Sequence, residues 1–141
     1  MKIQILWPKI EQIQENILNN NSIVAKLRYK SFSMLLTGDI EECAEKQILQ
    51  EYKDNLSILK SAVFKVPHHG SKTSSIQDFI EAINPKISLI GVGKNNTFGH
   101  PNDEVIERLK IYGTKIYRTD EMGEISIIVN SKGKIKLKKF L

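Results

Sequence analysis

The sequence predicts an α/β fold, a mixed β-sheet with helices packed on it. Short runs rich in β-branched residues recur along the chain, and in its middle they alternate with amphipathic stretches of helical spacing. Near both ends the runs instead follow one another across tight turns, as hairpins do. Alternating strands and helices imply parallel pairing at the centre, and terminal hairpins add antiparallel strands, so the sheet is expected to be mixed.

The elements follow in order. "KIQILWP" is a short strand closed by Pro8. Residues 9–21 are polar and end in three asparagines, a loop or short helix feeding a turn. "SIVAKLRYKSFSMLLTGD" alternates and breaks at Lys30–Ser31, which predicts a hairpin of Ser22–Tyr29 with Phe32–Thr37. A helix is expected just after Gly38, because Asp39 with Glu42 has capping-box spacing and Ala44, Ile48, Leu49 and Tyr52 form an apolar stripe. "AVFKV" is the next strand. Ser75 with Asp78 is expected to cap a second helix bearing Ile76, Phe79, Ile80 and Ile83, stopped by Pro85. "ISLIGVG" reads as a strand buried on both faces. Asn102 caps a third helix with Val105, Ile106 and Leu109, ended by Gly113. "KIYRT", "EISIIV" and "KIKLKKF" are three final strands, with turns at Glu121–Gly123 and Ser131–Gly133.

Composition narrows the class. A chain of 141 residues fits one domain over its whole length. Its 40% apolar and 26% charged residues are those of a soluble globular protein. No apolar run approaches the roughly 20 residues that span a bilayer. The opening "MKIQILWPKI" lacks the apolar core and cleavage site of a signal peptide. A single cysteine, Cys43, excludes an internal disulfide and a thiolate-rich zinc site. The net charge of +5 allows a polyanionic partner. Part of that excess lies in "SKGKIKLKKF", whose alternating lysines read first as a solvated edge strand and second as a nucleic-acid stripe.

Unusual residues collect after the predicted strands: Asp39, then His68 and His69, then "GKNNTFGHP" with His100. Taken singly, each has a bland reading. Asp39 is a helix cap, the paired histidines are structural or solvated, and His100 is a turn residue. Taken together, parallel strands would bring them to one sheet edge, where α/β proteins build sites. One carboxylate with two or three imidazoles is a mixed O/N ligand set for zinc, manganese or iron. An aspartate can bridge two cations, and a two-metal site activates water for hydrolysis of phosphate or acyl esters. Lys94, Asn95 and Asn96 would supply donors to phosphate oxygens.

"LLTGDIE", "FKVPHHGSKTSS", "GVGKNNTFGHPNDEVIERL" and "YRTDEMGEI" resemble, in order and spacing, the metallo-β-lactamase-fold domain of ComEC-type competence proteins. The likeness runs from about residue 3 to residue 130. It implies the C-terminal half of an αββα sandwich. It also implies a phosphodiesterase or nuclease connected with DNA uptake, and up to two divalent ions, zinc or manganese. On this resemblance Asp39 matches the metal-bridging aspartate and His69 a metal ligand. His68 lines the site and His100 faces the substrate. Lys94 joins His68 and His100 as catalytic candidates, and Ser71, Asn95 and Asn96 are substrate-binding candidates.

The chain also departs from that family. Its members carry an early HxHxDH or HxDxDH motif that supplies most ligands, and this chain has no histidine before His68. "NNNSIV" matches a segment that the family writes after that motif. Asp39 and one or two histidines cannot complete a dinuclear centre, since each ion takes about four ligands. A sheet that ordinarily packs on a second sheet is also expected to leave an apolar face uncovered. These points favour a fragment, with a complementary N-terminal half or self-association as the route to completion. A non-catalytic DNA-binding module and an inert interaction domain are the competing functions. The expected location is cytoplasmic if the domain stands alone, and outside the cytoplasm if it belongs to a ComEC-type membrane protein.

Overall fold

A computed structural model describes residues 1–9 and 12–140. The parts of the expected 9–21 segment at Ile10 and Glu11, and of the whole-chain domain at Leu141, lie outside these residues. The α/β expectation holds. A six-stranded mixed sheet runs in the order β1 (Lys2–Trp7), β2 (Val24–Tyr29), β3 (Phe32–Leu36), β4 (Val63–Lys65), β5 (Ile87–Ile90) and β6 (Lys115–Arg118). The pairs β1–β2 and β2–β3 are antiparallel; β3 through β6 are parallel. A separate antiparallel hairpin joins β7 (Glu124–Val129) to β8 (Ile135–Phe140).

The crossovers between parallel strands contain α2 (Glu42–Glu51), α3 (Gln77–Ile83) and α4 (Asp103–Ile111), while a short α1 (Ile17–Asn20) precedes β2. Successive right-handed crossovers moving one way along a sheet put all three helices on one face. The core forms there: Leu6, Val24, Leu35, Phe64, Val66 and Ile90 from the strands meet Ala44, Ile48, Phe79, Ile80, Val105 and Leu109 from the helices. Strand alternation points Ala25, Phe32 and Val63 to the opposite face, yet all three are buried. The β7–β8 hairpin approaches this face at two places. It reaches from β6, where the Lys139 ammonium lies 5.4 Å from the Tyr117 ring, to the β2–β3 turn, where Ser31 Oγ donates to Lys132 O at 3.0 Å. Gly133 makes that approach possible, because a Cβ there would stand 2.6 Å from Ser31 N. The cover stops short of β1, where Ile3 and Ile5 remain 57% and 55% exposed. The apolar face is therefore covered in part rather than left bare.

Several local expectations are corrected. Asp39 does not cap α2. The cap position is Glu41, extended and without a side-chain cap bond, and the Glu42 N–H donates to Thr73 O at 2.8 Å in the loop after β4. Ser75 and Asp78 do not cap α3 either. Its entry is held from outside, by the buried Glu45 carboxylate, which accepts from Ser75 N at 2.6 Å and Ile76 N at 2.8 Å. Both expectations failed because tertiary partners reached the free N–H groups first. In "ISLIGVG" the ladder ends at Ile90, and within that strand only Ser88 and Ile90, on the face toward the helices, are fully buried. The expected turn at Glu121–Gly123 begins instead in a short helix, α5 (Thr119–Met122). The Asn102 cap of α4 is present, its side chain accepting from Glu104 N at 3.1 Å. No helix among the described residues is long and apolar enough to cross a membrane.

Candidate functional site

Because β3, β4, β5 and β6 are parallel, the segments leaving their carboxyl ends emerge at one edge of the sheet. Asp39 follows β3, His68 and His69 follow β4, and the 91–100 loop follows β5. The structure thus gathers the residues that the sequence marked one by one.

The turn after β4, Pro67–Gly70, is a short 3₁₀ element in which His68 and His69 have φ of 46° and 54°. Two consecutive side-chain-bearing residues in the left-handed region cost roughly 1–2 kcal/mol each. Surrounding bonds hold them there: His68 N donates to Gly38 O at 3.3 Å and Ser71 N to His68 O at 2.8 Å. Gly70 lies against the next loop, since a Cβ on it would come within 2.6 Å of Pro101 Cβ. Strain of this kind persists where its neighbours over-determine it, and it gathers at functional sites.

The site is built around one defined tautomer. His69 Nδ1 lies 2.6 Å from Gly91 O. A carbonyl only accepts, so Nδ1 carries the hydrogen, and in the neutral ring Nε2 is left with the lone pair. Nε2 faces Asp39 Oδ1 at 3.9 Å. An imidazole lone pair and a carboxylate oxygen thus converge on a common point. Lys65 flanks them, its ammonium 2.9 Å from Gly38 O and 3.7 Å from Asp39 Oδ1. Burial lowers the Lys65 pKa, and the Asp39 carboxylate opposes that shift.

His68 packs between its neighbours, with ring centroids 6.4 Å from His69 and 5.8 Å from His100. Its Nδ1 is 3.2 Å from Glu41 Oε1, within ion-pair range. The pair lacks hydrogen-bond alignment, so Nδ1 is buried without a hydrogen-bond partner. Glu41 is otherwise engaged, accepting from Thr73 Oγ1 and from Asn16 Nδ2, each at 2.9 Å. His100 has its pKa lowered by burial first and then by His68 and His69.

The 91–100 loop has no regular structure, yet it is tied down internally. Asn96 accepts from His100 N at 3.0 Å and donates to His100 O at 2.8 Å and to Gly93 O at 3.1 Å. Thr119, the residue after β6, accepts from Val92 N at 2.7 Å and donates to Val92 O at 2.8 Å. The amide of Asn96, expected to meet substrate, is therefore spent on its own loop. Ser71 also stays away from the surface, 5% exposed with its hydroxyl 3.0 Å from Thr73 Oγ1. Lys94 and Asn95 stand exposed at the loop's turn. Phe98, which was not singled out in the sequence, stacks on His100 at 5.9 Å and 17° between ring planes.

A cleft of about 200 Å³ lined by His69, Val92, Gly93, Asn96, Phe98 and His100 adjoins this cluster. A larger one, about 510 Å³, lies along α2 beside Trp7 and Glu51 and contains none of the histidines. Glu41 and Thr119 were also missed in the sequence, although both stand inside conspicuous motifs, "TGDIE" and "YRTD".

No family model matches the chain. Individual proteins do. The chain is 36% identical over 107 residues to ComE operon protein 3 of Bacillus subtilis, which takes in 76% of the chain and 13% of that protein. It is 33% identical over 107 residues to competence protein ComA of Neisseria gonorrhoeae, across 76% of the chain and 15% of ComA. The chain is related to competence proteins. The chain is also 33% identical over 115 residues to the uncharacterized protein YcaI of Escherichia coli, across 82% of the chain and 15% of YcaI. The chain thus spans between 13% and 15% of the length of these three relatives.

Proposed function

We propose that this chain carries one side of a metal-dependent phosphodiesterase site, in a domain of metallo-β-lactamase type connected with DNA uptake. The observation that carries the reading is the His69 tautomer, fixed by Gly91 O so that Nε2 and Asp39 Oδ1 converge at 3.9 Å. Tetrahedral ligands of one zinc ion stand about 3.4 Å apart, so closing this gap by about half an ångström would let both donors share an ion. The relatives named for competence support DNA as the source of the phosphodiester.

The donor set fits one edge of such a metal site and does not fill it. Among the described residues no group of three or more His, Cys, Asp or Glu side chains is placed to hold an ion, whereas zinc takes about four ligands. The remaining ligands would come from a complementary chain segment or a second copy, and the exposed Ile3 and Ile5 offer apolar surface for such a partner. When bound, the ion would supply Lewis acidity. The chain's own residues supply position: His68 and His100 form the wall beside the donors, and Lys94 and Asn95 offer exposed donors to phosphate oxygens.

Calorimetric titration with Zn²⁺ or Mn²⁺ tests this. Weak binding is expected for the wild-type chain and a loss of at least about tenfold for both Asp39→Asn and His69→Ala. Equal binding by all three proteins removes the metal reading.

A second reading has its own support. With a net charge of +5 and exposed Lys134, Lys136 and Lys138 along the hairpin, the chain suits a non-catalytic DNA-binding module. DNA affinity that falls steeply with salt and ignores chelator would favour it over the first.

A further inference from the structure

Phe98 is 80% exposed, although it sits one residue from a glycine in a loop otherwise held by Asn96 and Thr119. An aromatic ring left in water forgoes a large burial gain, so its position calls for an explanation. One face stacks on His100, and His100 in turn packs edge-on against His68, 5.8 Å away. The other face opens to solvent beside the cleft that contains His69. Exposed Lys94 and Asn95 lie at the turn of the same loop. A flat apolar face with cationic and amide donors nearby and a candidate hydrolytic centre behind it is how proteins hold a single strand: bases stack while the backbone is met by charge.

We propose that Phe98 is a stacking platform for an unpaired nucleobase of single-stranded DNA, seating the strand so that its backbone passes the Asp39–His69 pair. The proposal rests on the reading of that pair as a phosphodiester-processing site. It adds a specificity determinant: a paired base has no free face to offer, so duplex DNA gains nothing from Phe98, nor does a phosphodiester without a base.

The test is fluorescence anisotropy with a labelled oligothymidylate, a duplex of equal length and an abasic strand of equal length. For Phe98→Ala, single-strand affinity falls by about tenfold, in line with the loss of one stacked base. Duplex and abasic-strand affinities do not change. Phe98→Trp binds the oligothymidylate at least as tightly as wild type, and the new indole is quenched on binding. An unchanged single-strand affinity in Phe98→Ala overturns the proposal. So does an equal loss on the abasic strand, or a wild-type chain that does not prefer single strands over duplex. At 80% exposure the ring contributes little to the core, so the alanine variant keeps its fold. Zn²⁺ titration of the same variant separates the two ideas. Phe98→Ala leaves metal binding intact, while Asp39→Asn loses metal and keeps the stacking contribution, so either reading can fail without the other.

Discussion

Beneath the sheet, Glu45 is fully buried, and its two oxygens each accept a backbone N–H from the loop that leads into α3. On the same side, Lys26 is 1% exposed and its ammonium donates to the carbonyls of Ile58 and Lys60. At the carboxyl edge the pattern reverses. Asp39 and His69 are accessible, with Nε2 and Oδ1 facing each other at 3.9 Å, and His68 Nδ1 is buried with no hydrogen bond. The largest pKa displacements belong to the interior, where burial pushes Glu45 up to about 7 and Lys26 down to about 8. A displaced pKa therefore does not mark the site here. Nor do unfinished hydrogen bonding and backbone strain by themselves, since Ser75 in the interior loop has a φ of 61° and a buried hydroxyl without a partner, as His68 has at the edge. What sets the edge apart is imidazoles gathered beside the Asp39 carboxylate.

The contrast is broken most severely at Glu45. Glu45→Ala orphans the N–H groups of Ser75 and Ile76 and opens a cavity, and each orphan costs about 1–3 kcal/mol. A loss of about 3–5 kcal/mol is expected in urea unfolding. A loss below about 1 kcal/mol would mean that the α3 entry does not depend on this carboxylate.

Glu45 also gives the interior its own pH signature. Its folded pKa, about 7, lies above the reference 4.5 because burial penalises the charge. The Glu42 carboxylate adds to that effect, while the two backbone N–H groups and Arg108 oppose it. For a folded pKa raised in this way the contribution is full below about 4.5 and is lost as pH rises through about 7, a span worth about 3 kcal/mol. The lowered His100 acts with the opposite sign, costing stability as pH falls through its unfolded value. Comparing wild type with Glu45→Gln cancels the histidine, and the difference between them isolates Glu45. A stability difference that stays constant from pH 4.5 to pH 7.5 contradicts the assignment.

Gly70→Ala attacks the junction between the histidine turn and the 91–100 loop. Its Cβ would stand 2.6 Å from Pro101 Cβ, at a φ of 79° that alanine tolerates poorly. About 2 kcal/mol is expected to be lost, together with displacement of His100, visible as altered imidazole shifts in NMR. Unchanged shifts would show that the two loops adjust independently.

How much of this was legible beforehand follows from which forces are local. Alternation and helical spacing gave the mixed sheet, since they record which face is buried. Parallel order then placed Asp39, His68, His69 and His100 at one edge without any knowledge of distances. The caps misled because Asp39 and Ser75 have cap-forming side chains, and what decided the matter were Thr73 O and Glu45, which lie far away in sequence. Asn96 and Ser71 were read as substrate donors from their chemistry alone, and the structure spends their polar groups on their own loops. Phe98 was passed over because an aromatic residue reads by default as core.

The smallest expected effect is the sharpest, because its sign differs. His68 has φ 46° and a buried Nδ1 without a hydrogen bond, so two costs fall on one residue. His68→Gly removes both: glycine occupies the left-handed region without a Cβ penalty and leaves no imidazole to satisfy. It also gives up the ring contacts with His69 and His100 and adds freedom to the unfolded chain, which offsets part of the gain. A net stabilisation of about 1 kcal/mol is expected. At Glu45, by contrast, truncation leaves the N–H groups of Ser75 and Ile76 without their acceptor. A stabilised His68→Gly variant would place His68 apart from the residues held for folding, in keeping with the proposed site beside which its ring lies. Destabilisation of His68→Gly by more than about 1 kcal/mol in urea unfolding would return His68 to the interior class, as a packing residue that happens to lie at the edge.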